Sequence, residues 1–293
     1  MANLFCFGLG FSALTLAREL RAEGWAVSGT CRTPGKQAKL RAEGIDAHLF
    51  DGAAPFDGAG AEALARADHL LASVPPGADG DPVLVAAADV IGRCAARMRW
   101  AGYLSTTGVY GDTGGAVVTE DSPLAPTSPR GGYRVAAESA WRALGRTSGL
   151  PVHVFRLAGI YGPGRSVLDQ IRQGTARRID KPGHRFSRIH VTDIARVLRA
   201  SMARPNPGAV YNVCDDEPAA QADVVAQGAA LLGLPAPALV PFAEAAETMS
   251  PMALSFWRDN RVVSNARIKD ELDVELACPT YREGLAAILA AES

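Results

Sequence analysis

The chain predicts an α/β fold: a doubly wound parallel sheet followed by a smaller C-terminal lobe. Two observations carry that expectation. Short apolar runs alternate with helix-like stretches through the first 160 residues, joined by short loops. Repeated β-α units of that kind build a parallel sheet covered on both faces. A glycine-rich turn also stands between the first strand and the first helix, at Gly8-Leu9-Gly10. With 293 residues, 48% of them hydrophobic, the chain is long enough to bury a large core.

Taken in order, Leu4–Phe7 reads as the first strand. Phe11–Glu23 is the first helix, with Ala13, Leu16, Ala17 and Leu20 on one face. Ala26–Thr30, His48–Phe50 and His69–Val74 read as the second, third and fourth strands. Asp81-Pro82 places a capping residue and a first-turn proline ahead of a long helix. Tyr103–Ser105 is the fifth strand, Tyr133–Thr147 the next helix and Val152–Leu157 the sixth strand. Beyond it, Pro, Gly and Arg crowd the stretch from Gly162 to Gly183, which reads as a surface excursion. His190–Ala203 is expected as a helix capped by Thr192, Ala209–Val213 as another strand, and Thr280-Tyr-Arg-Glu283 as a capping box opening the last helix. These elements place one domain at residues 1–160 and a smaller region at 161–293, with segments near 188–215 returning to the first core.

The formal net charge of −1 offers no electrostatic reason to expect nucleic acid or an acidic membrane as partner. The five cysteines are scattered without a C-x-x-C pair. That pattern suits free thiols in a reducing compartment rather than a disulfide framework or a zinc site. No cluster has metal-ligand spacing, so no metal is expected. A hydrolase of the Ser-His-Asp type is disfavoured because no Gly-x-Ser-x-Gly elbow occurs. The apolar start of the chain lacks a basic leading region, and no stretch approaches the roughly 18 apolar residues of a membrane span. A cytoplasmic monomer or homodimer acting on a small molecule is the expectation.

Gly8-Leu9-Gly10-Phe11-Ser12-Ala13 is a Gly-x-Gly-x-x-Ala pattern at a strand–helix junction, the position a Rossmann-type sheet needs for a dinucleotide. Gly8 permits the tight turn, Gly10 lets the N–H groups of the Phe11-Ser12 turn approach a pyrophosphate, and Ala13 lets helix and strand pack closely. At the end of the second strand, NAD-preferring proteins of this fold place an acidic residue. Here Cys31 stands there, with Arg32 following. An arginine without a competing carboxylate suits a 2′-phosphate, so NADP is favoured over NAD. In the plainer alternative Arg32 is a solvated loop charge.

Leu104-Ser105-Thr106-Thr107-Gly108-Val109-Tyr110-Gly111 resembles the active-site strand end of the extended short-chain dehydrogenase/reductase family, the nucleotide-sugar epimerase and dehydratase group. Phe155-Arg156-Leu157-Ala158-Gly159-Ile160-Tyr161-Gly162, Arg188-Ile189-His190-Val191-Thr192-Asp193 and Tyr211-Asn212-Val213 are similar to later segments of the family, in the family's order. The resemblance implies that Asp51 meets the adenine amino group and that Ser73, at the fourth strand's end, lines the adenosine. It implies that Thr106 takes the hydroxyl position that orients a substrate oxygen, with Thr107 beside it.

The family's Tyr-x-x-x-Lys does not follow. If Tyr133 is the tyrosine, Ala137 stands for lysine. If Glu138 matches the family glutamate, Arg130 replaces tyrosine and Arg134 replaces lysine. The second register is preferred because it keeps twenty residues from Tyr110. An arginine stays charged and is no ordinary proton donor. Arg134 is then expected at the cofactor ribose, Arg130 with Arg165 and Arg188 at a substrate anion, and Tyr133 as a displaced proton donor. The leading reading is an NADP-dependent oxidoreductase or epimerase acting on a hydroxyl or keto carbon. The rival is an NADP(H) sensor without turnover, and a third is a structural partner that has lost the cofactor.

Overall fold

In the computed structural model, which describes residues 2–292, the alternating units appear in the expected order. They are β1 (Asn3–Phe7), α1 (Phe11–Ala22), β2 (Ala26–Cys31), α2 (Pro34–Ala42), β3 (Asp46–Leu49), α3 (Gly58–Arg66), β4 (His69–Ala72), α4 (Pro82–Cys94), β5 (Trp100–Thr106), α5 (Pro129–Ser148), β6 (Val152–Leu157), α6 (Val191–Ala203) and β7 (Val210–Val213). The seven strands form one parallel sheet in the order β7-β6-β5-β4-β1-β2-β3. Strand order therefore reverses between β1 and β4. In a doubly wound sheet that reversal opens a crevice at the carboxyl ends of the two strands.

The four residues Leu4–Phe7 of β1 are completely buried, which is why the strand sits in the sheet's centre and reads as an unbroken apolar run. Phe5, Phe7, Phe50 and Phe56 meet edge to face on one side of the sheet, with centroids 4.9–5.8 Å apart. Helix α4 starts where the sequence places it. Asp81 Oδ1 accepts from the amides of Val83 and Leu84 at 2.9 and 3.3 Å, and Asp81 Oδ2 accepts from the Trp141 indole at 3.0 Å.

Several boundaries differ from expectation, each for a packing reason. β5 begins at Trp100 rather than Tyr103 because Trp100 folds its ring over Gly102, so the missing side chain is filled rather than exposed. α5 begins at Pro129 rather than Tyr133: proline fits a first helical turn, and Gly131 is buried rather than breaking the helix. Thr192 does not cap α6. It lies inside the first turn, and the His190 Nδ1 accepts its amide at 3.3 Å. The last helix, Tyr281–Ala290, opens on the expected Thr280–Glu283 capping box.

Contacts divide the chain into two compact units. One gathers the chain up to Thr106 with Pro129–Arg156 and Ile194–Tyr211, and carries most of the sheet. The other gathers Thr107–Ser128, Leu157–Asp193 and the chain from Asn212 onward. Its core includes Tyr161, Leu168, Tyr281, Leu285 and Ile288. Among the described residues no helix is long and apolar enough to cross a membrane.

The second unit buries a carboxyl group at a cost. Asp215 is 2% exposed, and neither of its oxygens has a hydrogen bond of good geometry among the described residues. Burial pushes its pKa up to about 8; the Arg188 charge and the backbone of Arg188 and Glu217 oppose this without prevailing. The folded state thus holds a proton that the unfolded chain releases near 4, so stability falls as pH rises from about 4 to 8. Asp215→Asn is expected to raise the urea midpoint at pH 8 and to make little difference at pH 4, measured by equilibrium unfolding across that range.

Candidate functional site

The Gly8 turn is held from two sides. The Gly8 amide donates to Thr30 Oγ1 of β2 at 2.8 Å, and the Ser73 hydroxyl, just beyond β4, donates to the Gly8 carbonyl. Gly8 adopts φ +86°, and a Cβ there would press within 3.0 Å of Val74 and Ser73. Glycine is therefore required by both conformation and space. The Ser73 hydroxyl thus clamps the turn from the β4 side.

Gly10 plays a different part. It precedes α1 in an extended conformation, without a side chain to cap the helix, and a Cβ built on it meets no atom within 4 Å. Open space at an uncapped helix start, beside the reversal of strand order, fits a dinucleotide pyrophosphate. Phe11 is half-buried and Ser12 buried in the first turn of α1. Arg32 is exposed and has no partner among the described residues. The next residue, Thr33, opens α2, whose first turn carries Lys36 and no acid. Asp51 is exposed, and its carboxylate accepts from the Ala53 amide at 2.9 Å.

At the end of β5 the side chains interlock. Arg134 Nη1 donates to the Leu104 carbonyl at 2.6 Å and to the Tyr103 hydroxyl at 3.2 Å. The next residue of the strand, Ser105, donates its hydroxyl to Glu138 Oε1 at 2.5 Å. Glu138 lies one turn beyond Arg134 on α5 and accepts from Arg156 of β6, Nη2 to Oε2 at 2.8 Å and Nε to Oε1 at 3.1 Å. Glu138 and Arg156 are both 3% exposed. Thr106 is half-buried at the end of β5, and Thr107 is buried at the start of a 3-10 turn, Thr107–Tyr110.

Helices that follow strands in a parallel sheet start at the strands' carboxyl ends, so the first turn of α5 stands at the end where Thr106 lies. Arg130 and Tyr133 share the Arg134 face at i, i+3 and i+4 spacing. Arg130 is exposed and Tyr133 half-buried, and neither has a hydrogen-bond or ionic partner among the described residues. The phenol that Arg134 bonds is Tyr103, which burial pushes far above the ordinary tyrosine range.

Two further arginines lie in the second unit. Arg188 directs Nη1 to the carbonyls of Phe186 and Ala219 at 2.8 and 3.1 Å, and burial lowers its pKa against the pull of Asp215. Its guanidinium is engaged within that unit's interior. Arg165 is exposed at a tight turn closed by backbone bonds with Gly162. Among the described residues no group of acidic, histidine or cysteine side chains is arranged to hold a metal ion.

Nothing in the sequence pattern alone pairs Tyr103 with Arg134 or Asp81 with Trp141, and Arg156 and Glu138 stand out there through the family resemblance. A signal was available. β6 is fully buried yet carries His153 and Arg156, and a charged residue in a buried strand needs a buried partner. Leaving either member of such a pair alone typically costs about 3–5 kcal/mol.

The family model of the NAD dependent epimerase/dehydratase family matches residues 83–214. Protein YeeZ of Escherichia coli K12 is 31% identical over 244 residues, spanning 81% of this chain and 86% of that protein. The chain belongs to this family. A solved structure of a conserved protein of unknown function from Silicibacter pomeroyi is 51% identical over the whole of both chains, with a TM-score of 0.90. The fold also matches dTDP-glucose 4,6-dehydratase from Bacillus anthracis, solved with NAD, at a TM-score of 0.77 and 18% identity over 99% and 96% of the two chains.

Because the space at Gly10 is open, Gly10→Val is expected to leave the unfolding temperature within about 2 °C of wild type. It should weaken NADPH binding at least tenfold, roughly 1.4 kcal/mol, measured by fluorescence titration. Gly8→Val, in contrast, is expected to destabilise the protein by several degrees in a thermal melt.

Proposed function

We propose that the protein is an NADP(H)-dependent oxidoreductase or epimerase acting on a hydroxyl or keto carbon of a small polar molecule. The observation that carries this is the clamped Gly8 turn with open space at Gly10, placed where strand order reverses. NADPH, when bound, supplies hydride to a carbonyl carbon, and NADP accepts it in the reverse direction. The main-chain N–H groups of Phe11 and Ser12, at the first turn of α1, hold the pyrophosphate. Arg32, with Lys36 one helical turn on, meets the 2′-phosphate, and the absence of an acid at Cys31 leaves that charge unopposed. Asp51 and Ser73 stand at the adenosine side.

At the reacting end, Thr106 orients the substrate oxygen and Tyr133 exchanges its proton with that oxygen. Arg130 faces an anionic group of the substrate. Arg134 uses one nitrogen on the strand end, and its remaining N–H groups are available to the cofactor ribose. Thr107 and Arg165 are substrate-side residues in this reading. Arg188 holds the backbone at Phe186 and Ala219. The protein works in the cytoplasm, as a monomer or homodimer.

A second reading has one observation in its favour. Arginines stand at 130 and 134, where the family resemblance calls for tyrosine and lysine. With neither in place, the protein is an NADP(H) sensor that binds without turnover.

Titration with NADPH and NADH is expected to show tighter binding of NADPH, and Arg32→Ala should reduce that preference about tenfold, ~1.4 kcal/mol. Equal affinity for both cofactors in wild type would remove the NADP assignment. Turnover is tested by NADPH oxidation across aldehydes, ketones and 2-oxo acids. Tyr133→Phe is expected to lower kcat by about 100-fold, the scale of a general-acid contribution; tight binding with no oxidation of any acceptor supports the sensor.

A further inference from the structure

We propose that Glu138 is a positioning residue for the candidate active site, acting through Ser105 on Thr106. The inference rests on the oxidoreductase reading above and adds to it the device that orients the reacting end.

The geometry is specific. Two side chains one helical turn apart on α5 grip two consecutive residues of β5: Arg134 takes the Leu104 carbonyl at 2.6 Å, and Glu138 takes the Ser105 hydroxyl at 2.5 Å. Thr106 is the next residue. The same grip sets how far the first turn of α5, with Arg130 and Tyr133, projects past the strand end. Glu138 is itself held by the two-nitrogen fork of Arg156 on the neighbouring strand β6, a planar pairing that leaves the carboxylate little freedom to rotate. Tyr103, one residue before Leu104, is stacked on Trp141 with centroids 5.8 Å apart, and the Trp141 indole is bonded to Asp81.

A charge pair this deeply buried is a poor stabiliser compared with apolar packing of the same volume. Its directional value is larger. It converts the loose approach of a helix to a strand into one register, and does so at the residue preceding the hydroxyl that the chemistry needs. An apolar pair at 138 and 156 would pack the same space without directing Ser105.

The test uses the full chain with NADPH as probe. Ser105→Ala and Glu138→Gln are compared with the conservative variant Ser105→Thr, which keeps the hydroxyl. Three readouts are taken: the unfolding temperature, the NADPH dissociation constant, and the emission of the bound reduced nicotinamide. Turnover of any acceptor found for wild type is added. If Glu138 positions the site, Ser105→Ala and Glu138→Gln bind NADPH within about twofold of wild type, because the pyrophosphate end is untouched. They change the bound-nicotinamide emission by twofold or more and lower kcat at least tenfold at unchanged cofactor KM. Ser105→Thr restores emission and rate.

Unaltered emission and turnover in both variants would overturn the proposal. So would a parallel loss of unfolding temperature, affinity and emission that Ser105→Thr does not rescue, since that is the pattern of a purely structural pair. Failure of wild type to bind NADPH or NADH overturns the cofactor reading, and this proposal falls with it. Binding by wild type with indifferent variants overturns this proposal alone.

Discussion

The buried pairing of Arg156 with Glu138 is the interaction on which the β5 end depends. It brings together the sixth strand, the middle of α5 and, through Ser105, the end of the fifth strand. Without Glu138, Arg156 would lose the carboxylate it is paired with inside a fully buried strand. The register of α5 would then rest on the Arg134 bonds to Leu104 and Tyr103, the Trp141 bond to Asp81 and apolar contacts. Apolar contacts are non-directional and tolerate sliding, whereas a forked guanidinium and a carboxylate do not. The surrounding polar groups follow the same logic: Asp81 caps one helix with one oxygen and fixes the Trp141 indole with the other.

The cofactor end depends on a different constraint, the absence of side chains. Gly8 sits in a conformation and a space that admit only hydrogen, and Gly10 keeps the start of α1 open. Thr30 and Ser73 lock that turn from the strands on either side. The two ends thus differ in how they are built. One is a fixed backbone with space in front of it, and the other is a set of directed side chains.

Arg134 illustrates how a change of residue type redistributes roles. A lysine gathers its charge and its three N–H donors at one compact ammonium. A guanidinium is large enough to bond the strand end with one nitrogen and still present others. Its bond to Leu104 and Tyr103 makes it part of the frame, and in the proposed reading it also serves the cofactor. Arg130, one turn earlier, is exposed and has no such attachment among the described residues. Arg188 lies at the other extreme: its guanidinium is spent on two carbonyls and faces a buried carboxyl group.

The sequence by itself determined the alternation of strands and helices, the glycine turn at the first junction and the order of the family segments. Those features are legible because they are local. A tight turn needs glycine, a helix start needs a cap, and a buried parallel strand reads as an apolar run wherever it lies. Boundaries were less legible where a distant ring or a buried glycine compensated, as at Gly102 under Trp100 and at Gly131 in α5. Only the tertiary structure decided that Arg134 turns to the strand end, that Tyr103 is the phenol it meets, and that Glu138 faces Arg156. It also decided that the chain passes from one compact unit to the other between Thr106 and Thr107. Each of these depends on which groups meet across the sheet, and the competition among several possible partners for one charged side chain is settled by distance and burial rather than by residue type.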